Sequence, residues 1–144
     1  MAMDSAKRAM SGTHGYLWLD GEIVAECYKF QAKVTLNKED LPMCGVMWTD
    51  SKVKSISGKG SVGLYKVNSR MAALVGDKIR AGQDPRFVLI SNLNDPDSYG
   101  AERVAVKDVS FDDLTLADWE AAVSGKVECP FTFRDFEFLD MTAA

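Results

Sequence analysis

The 144-residue chain predicts a mainly β (α+β) fold, a small barrel or sandwich with one overlong hairpin and a flanking α-helix. Three observations predict it. Apolar and polar side chains alternate with period two over two unusually long runs, 24–37 and 52–67. Further runs with strand character follow, separated by clusters of turn residues. Helical spacing is confined to two segments, 69–82 and 116–124. With 47% hydrophobic and 26% charged residues and no repeat or linker, residues 1–144 suit a single domain.

Residues 1–14 are small and polar without a sustained period, and are expected to form a flexible arm. "GYLWLDGE" is a short strand closed by Asp20-Gly21, a strong hairpin signal. In the run from Glu22 to Asn37, Val24, Tyr28, Phe30, Ala32, Val34 and Leu36 share one face. Cys27, Lys29, Gln31, Lys33, Thr35 and Asn37 share the other. The partner run, Lys52 to Val67, puts Ser55, Ser57, Lys59 and Ser61 opposite Ile56, Val62 and Leu64. Residues 24–67 therefore read as a long hairpin, part of which projects beyond the domain body. Its loop, "LPMCGVMWTD" over 41–50, carries Met43, Cys44, Val46, Met47 and Trp48 where loops normally carry turn residues. Either it folds back on its own barrel or it contacts another subunit.

A helix is expected over 69–82, with Ser69 as N-cap, an apolar stripe of Met71, Leu74, Val75 and Ile79, and Gly82 as its stop. Within 85–138, strands are expected at Phe87–Leu93 and Arg103–Phe111, joined by the turn-rich "NDPDSYG". A short helix at Leu116–Ser124, capped by Thr115 and Asp118, would turn Leu116, Trp119 and Val123 inward. In the last strand Val127, Cys129, Phe131 and Phe133 share a face; Phe136 and Phe138 are out of phase, placing a bulge near Arg134-Asp135.

Few residues point to chemistry. The net charge of -4 does not mark a nucleic-acid binder, and no run approaches the roughly 18 apolar residues of a membrane span. The N-terminus lacks the continuous apolar stretch of a signal peptide, so a cytosolic protein without stable membrane association is expected. "SGKGSVG" is glycine-rich, but Gly60 follows Lys59 where a phosphate loop needs Ser or Thr, and it lies mid-strand. "DPDSYG" has the opening spacing of a calcium loop, yet Val106 stands where its bidentate Glu belongs. Cys27, Cys44 and Cys129 are widely spaced, and His14 is the single histidine, which argues against zinc and for reduced thiols. Asp112, Asp113, Asp118 and Glu120 cluster at a helix start, where the macrodipole favours them. No enzyme is expected, and no catalytic, cofactor or metal residue is assigned.

An overlong hairpin with an apolar tip makes sense if the fold is finished by another copy of itself, because projecting strands leave edges to be covered or joined. The stretches "SGTHGYLWLDGE" (11–22), "SGKGSVGLYKV" (57–67), "DPRFVL" (84–89), "ERVAVKDVSF" (102–111) and "CPFTFRDFEF" (129–138) together give the chain its family likeness. Over nearly its whole length it resembles the tail tube proteins of contractile-tailed phages, particularly those of defective prophages and phage-derived bacteriocins of Gram-positive bacteria. The resemblance implies hexameric rings in which the long hairpins join into one barrel around a channel. Rings stack into a tube that a contractile sheath drives through a cell envelope. The channel-lining candidates are then Lys29, Gln31, Lys33, Thr35, Ser55, Ser57, Lys59 and Ser61. Met43, Cys44, Val46, Met47 and Trp48 are candidates for contacts between subunits or rings. Implied partners are further copies of the chain and sheath, tape-measure and baseplate proteins, with DNA only in transit if the particle is a phage. Implied locations are the bacterial cytoplasm during assembly, then a virion tail or a released particle. The related tube of type VI secretion and, from a different class, a small β-barrel ligand-binding module are the alternatives.

Overall fold

Asp20 and Gly21 both take positive φ, 49° and 88°, and close a two-residue turn between β1 (Gly15–Leu19) and β2 (Glu22–Ile23) in the computed structural model of the protein. This is the mirror-image turn geometry that Asp-Gly favours. Asp20 also fixes the turn to the sheet: its Oδ1 accepts from the Val88 N–H at 2.8 Å, and its own N–H donates to the Val88 carbonyl at 3.0 Å. The structure describes residues 5–67, 69, 71–98, 100–114 and 116–141.

Six further strands follow: β3 (Cys27–Leu41), β4 (Asp50–Tyr65), β5 (Phe87–Leu93), β6 (Glu102–Phe111), β7 (Lys126–Phe133) and β8 (Asp135–Asp140). They pair antiparallel in the order β2-β1-β5-β6-β7-β4-β3, with β8 also on β6. Strands from both ends of this path feed one core. Leu17 and Leu19 of β1 are buried in it with Val62 and Leu64 of β4, Leu89 of β5, Val106 of β6 and Phe131 of β7. The sheet is therefore rolled around its apolar face. Its two ends approach where β1 lies beside β3, and the Val24 N–H, donating to the Leu17 carbonyl at 2.8 Å, extends the β1–β2 pairing toward that seam.

The hairpin strands run 15 and 16 residues, well above the typical length of about 5–6. Its near half packs on the core through Phe30, Ala32, Val62 and Leu64. Its far half projects, leaving Val34, Leu36, Val53 and Ile56 exposed. The sequence pattern places Val34 and Ile56 on the packed face; they do share that face, but the body ends before it reaches them. Two irregularities interrupt the register. Tyr28 is the extra residue between Cys27↔Leu64 and Lys29↔Gly63, and Lys54 is the extra residue between Asn37↔Ser55 and Lys38↔Val53. The first corrects the simple alternation, because Cys27 packs against the core while Tyr28 is exposed.

Four other expectations change. The helical segment is shorter, with π-type turns over Ala72–Gly76 continued by α1 (Asp77–Arg80). Val75 is buried and Met71 and Leu74 pack on the core, while Ile79 is exposed. Ser69 supplies its backbone carbonyl to the Ala73 N–H at 2.9 Å, and Gly82 ends the segment at φ +75°. Residues 116–124 are not helical, and Leu116, Trp119 and Val123 point to solvent. A segment this short is helical only when its apolar stripe is packed, and no element covers it here. Thr115, the expected cap, lies outside the described residues. Residues 5–14 are not a free arm: two 3₁₀ turns, Ala6–Arg8 and Gly12–His14, lie against the β5–β6 connection. The bulge expected near Arg134-Asp135 is instead a break between β7 and β8, where the chain leaves β4 and Ser110–Phe111 for the 103–107 stretch of β6.

Candidate assembly surfaces

Cross-strand register decides which polar side chains share a face, since directly opposed residues point the same way. In the hairpin Gln31 opposes Ser61, Lys33 opposes Lys59, Thr35 opposes Ser57 and Asn37 opposes Ser55. Lys29 opposes Gly63 on that face. The eight polar positions singled out in the sequence thus form one continuous surface on β3 and β4. An Asn37 Nδ2–H to Ser55 Oγ hydrogen bond of 3.0 Å extends it toward the tip.

The structure adds residues that local pattern did not supply. β7 pairs with β4 so that Glu128 opposes Gly63 and Thr132 opposes Lys59, which carries the polar face onto a third strand. Glu128 lies 3.6 Å from Lys29 across that face. Both groups are exposed, so the pair adds little stability and mainly offsets charge. Lys33 and Lys59 are instead like charges in direct opposition. At the end of the sheet nearest the seam, Tyr28 and Tyr65 have ring centroids 4.8 Å apart. Lys126 Nζ sits 5.3 Å and 5.8 Å from the two ring centres, within cation–π range. Tyr28 reaches this position only because of its bulge and because Gly63 beneath its ring has no side chain.

At the other end of the hairpin Met43, Cys44, Val46, Met47 and Trp48 are all exposed, Trp48 at 86%. Gly45 turns the chain at φ +79°. The tip does not fold back on its own body in this structure. Both faces of the sheet are thus unfinished at this end, one by exposed apolar pairs such as Leu36↔Ile56 and the other by opposed lysines.

A third anchored feature is Asp95, one of the buried residues. Its Oδ2 accepts from the Ser11 N–H and its Oδ1 from the Asp97 N–H, each at 2.9 Å. The two backbone bonds, that from Asp97 first, hold its carboxyl below the usual range. Residues 94–98 form a turn that clasps the N-terminal segment.

Residues 2–140 match the family model described as phage tail tube protein. The chain belongs to the phage tail tube protein family. Its curated relatives include the phage-like element PBSX protein XkdM of Bacillus subtilis, 37% identical over 92% of this chain and 91% of that one. Among solved structures, this tail tube protein matches a chain in the anti-feeding prophage cap that terminates the tube, with TM-score 0.74 at 10% identity, covering 99% and 95% of the two chains. It also matches a chain in the extended sheath-tube complex of the extracellular contractile injection system PVC, with TM-score 0.71 at 9% identity over 94% and 95%. At such identity these two likenesses establish a shared fold.

Proposed function

We propose that this tail tube protein forms hexameric rings that stack into the inner tube of a contractile phage tail or phage-tail-like bacteriocin, with the polar face of β3 and β4 toward the channel. One observation carries the reading: the register gathers all eight polar candidates on one side of a hairpin whose far half leaves its other side and tip uncovered. A strand pair that projects with an apolar face in water is unfavourable for a monomer and natural for a subunit whose sheet continues into a neighbour's. In such a particle the sheath surrounds the tube, the baseplate and tape-measure proteins meet its end and interior, and the chain performs no catalysis.

The channel face carries Lys29, Lys33, Lys59 and Lys126 with Glu128, and toward the tip it continues with Glu39 opposite Lys52. Lysines along a path hold phosphate by charge. This favours a tube that need not conduct a genome, as in a bacteriocin or defective particle. An assembled tube with a strongly negative channel contradicts that part.

Electron microscopy of the purified full-length chain, with a mass measurement, tests the proposal. Six-membered rings or tubes of them are expected. A stable monomer carrying a copurified small molecule supports the ligand-binding alternative instead.

A further inference from the structure

Most side chains on the polar face of β3, β4 and β7 are small or flexible; the exception is a pair of rings at one end. Tyr28 and Tyr65 lie side by side there, 42% and 44% exposed, with ring centroids 4.8 Å apart. The bulge between Cys27 and Lys29 turns Tyr28 out of the core-facing row. Gly63 leaves that ring its room, because a Cβ placed on Gly63 falls 2.8 Å from it. Lys126, directly opposite Tyr65, holds its Nζ 5.3 Å and 5.8 Å from the two ring centres. A cation–π contact at an exposed site is weak, so this ammonium can turn toward an anion. Beyond the rings the face continues with Lys29, which Glu128 partly offsets, and with Lys33 opposite Lys59. Toward the tip Glu39 stands opposite Lys52, so the excess positive charge on these strands is confined to the end that carries the rings. That local sign is opposite to the net charge of the chain, -4.

Planar rings beside a row of lysines suit one ligand chemistry: unpaired bases stack on the rings while phosphates follow the lysines. We infer that this end of the polar face binds single-stranded nucleic acid, with bases on Tyr28 and Tyr65 and phosphates on Lys126, Lys33 and Lys59. At strand rise, Lys33 and Lys59 stand roughly 15–20 Å from the tyrosines, so the site spans a few nucleotides. The surface belongs to the single chain; only its place inside a channel rests on the tube reading. A channel that grips a strand in this way resists its passage.

Fluorescence anisotropy of a short labelled oligo(dT) with dilute full-length protein tests the site. Binding is expected at low salt, with log K falling by about 0.7 per log unit of salt for each phosphate neutralised. Tyr28→Leu should weaken it on the order of tenfold at fixed salt with the slope unchanged, whereas Tyr28→Phe should retain it, because stacking needs only the ring. Lys59→Gln should instead reduce the slope by about 0.7. Tyr65→Leu, in a regular part of β4, repeats the ring test away from the bulge, and the urea midpoint of each variant separates a lost ring from a lost fold. Binding that polyglutamate or duplex DNA matches, and that both leucine variants leave unchanged, shows attraction by charge alone and overturns the inference. Absence of binding also overturns it, and six-membered rings seen by electron microscopy then leave the tube reading intact. A stable monomer that binds oligo(dT) through the two tyrosines supports the site and contradicts the tube.

Discussion

Gly60 lies directly under Phe131: a Cβ placed on Gly60 falls 2.5 Å from the Phe131 ring, while Gly58 stands in the same relation to Phe133 at 2.6 Å. The pairs are cross-strand neighbours of β4 and β7. The glycine-rich stretch that tempts a phosphate-loop reading is therefore a groove for two core aromatics. Gly60→Ala is expected to destabilise the fold by about 1–3 kcal/mol through overpacking. Urea unfolding measures it, and an unchanged midpoint contradicts the packing described.

Trp48, by contrast, is exposed at the hairpin tip. Trp48→Ser is expected to leave monomer stability within about 0.5 kcal/mol of the native protein, as exposed substitutions usually do. The same substitution should reduce the assembled fraction seen by sedimentation. Equal assembly by the variant contradicts a role for Trp48 in contacts between copies.

Much of this was legible in the sequence, for identifiable reasons. Period-two alternation located β3 and β4 and put Lys33, Thr35, Ser57 and Lys59 on one face, because each strand's pattern is local. Asp20-Gly21 announced its own turn geometry. Glu128 was not legible as part of that face, since its place depends on β7 choosing β4 as its partner. The Tyr28 bulge was equally hidden: one extra residue reverses the side on which Cys27 and Tyr28 emerge, and no composition signal marks it. The amphipathic spacing of Leu116, Trp119 and Val123 suggested a helix that has nothing to pack against in the isolated chain.

Asp95 gives the N-terminal segment a defined pH response. Its folded-state pKa is lowered by backbone N–H donors, so its contribution is fully present above the ordinary carboxylate pKa and is lost as pH falls through the lowered folded value. Hydrogen exchange at residues 11–14 should therefore stay slow through the usual carboxylate range and accelerate only below it. Asp95→Asn leaves one acceptor oxygen for two N–H donors, and should speed exchange there already at neutral pH. Unchanged exchange in the variant contradicts the clasp.

The opposed lysines at 33 and 59 predict a charge effect of the opposite sign. Lys33→Glu replaces like charges across the hairpin with an attractive pair. A modest rise in the monomer's unfolding midpoint at low ionic strength is expected, shrinking as salt screens it. A lower midpoint shows that the two side chains do not share a face.

The orientation of β3 and β4 in an assembled tube tests the account most directly. A cryo-electron microscopy map of tubes from the full-length chain should show six copies per ring, with Lys33, Thr35, Ser57 and Lys59 pointing to the axis and Leu36 and Ile56 pointing away. A map with Leu36 and Ile56 lining the channel, or a protein that stays monomeric at high concentration, contradicts it.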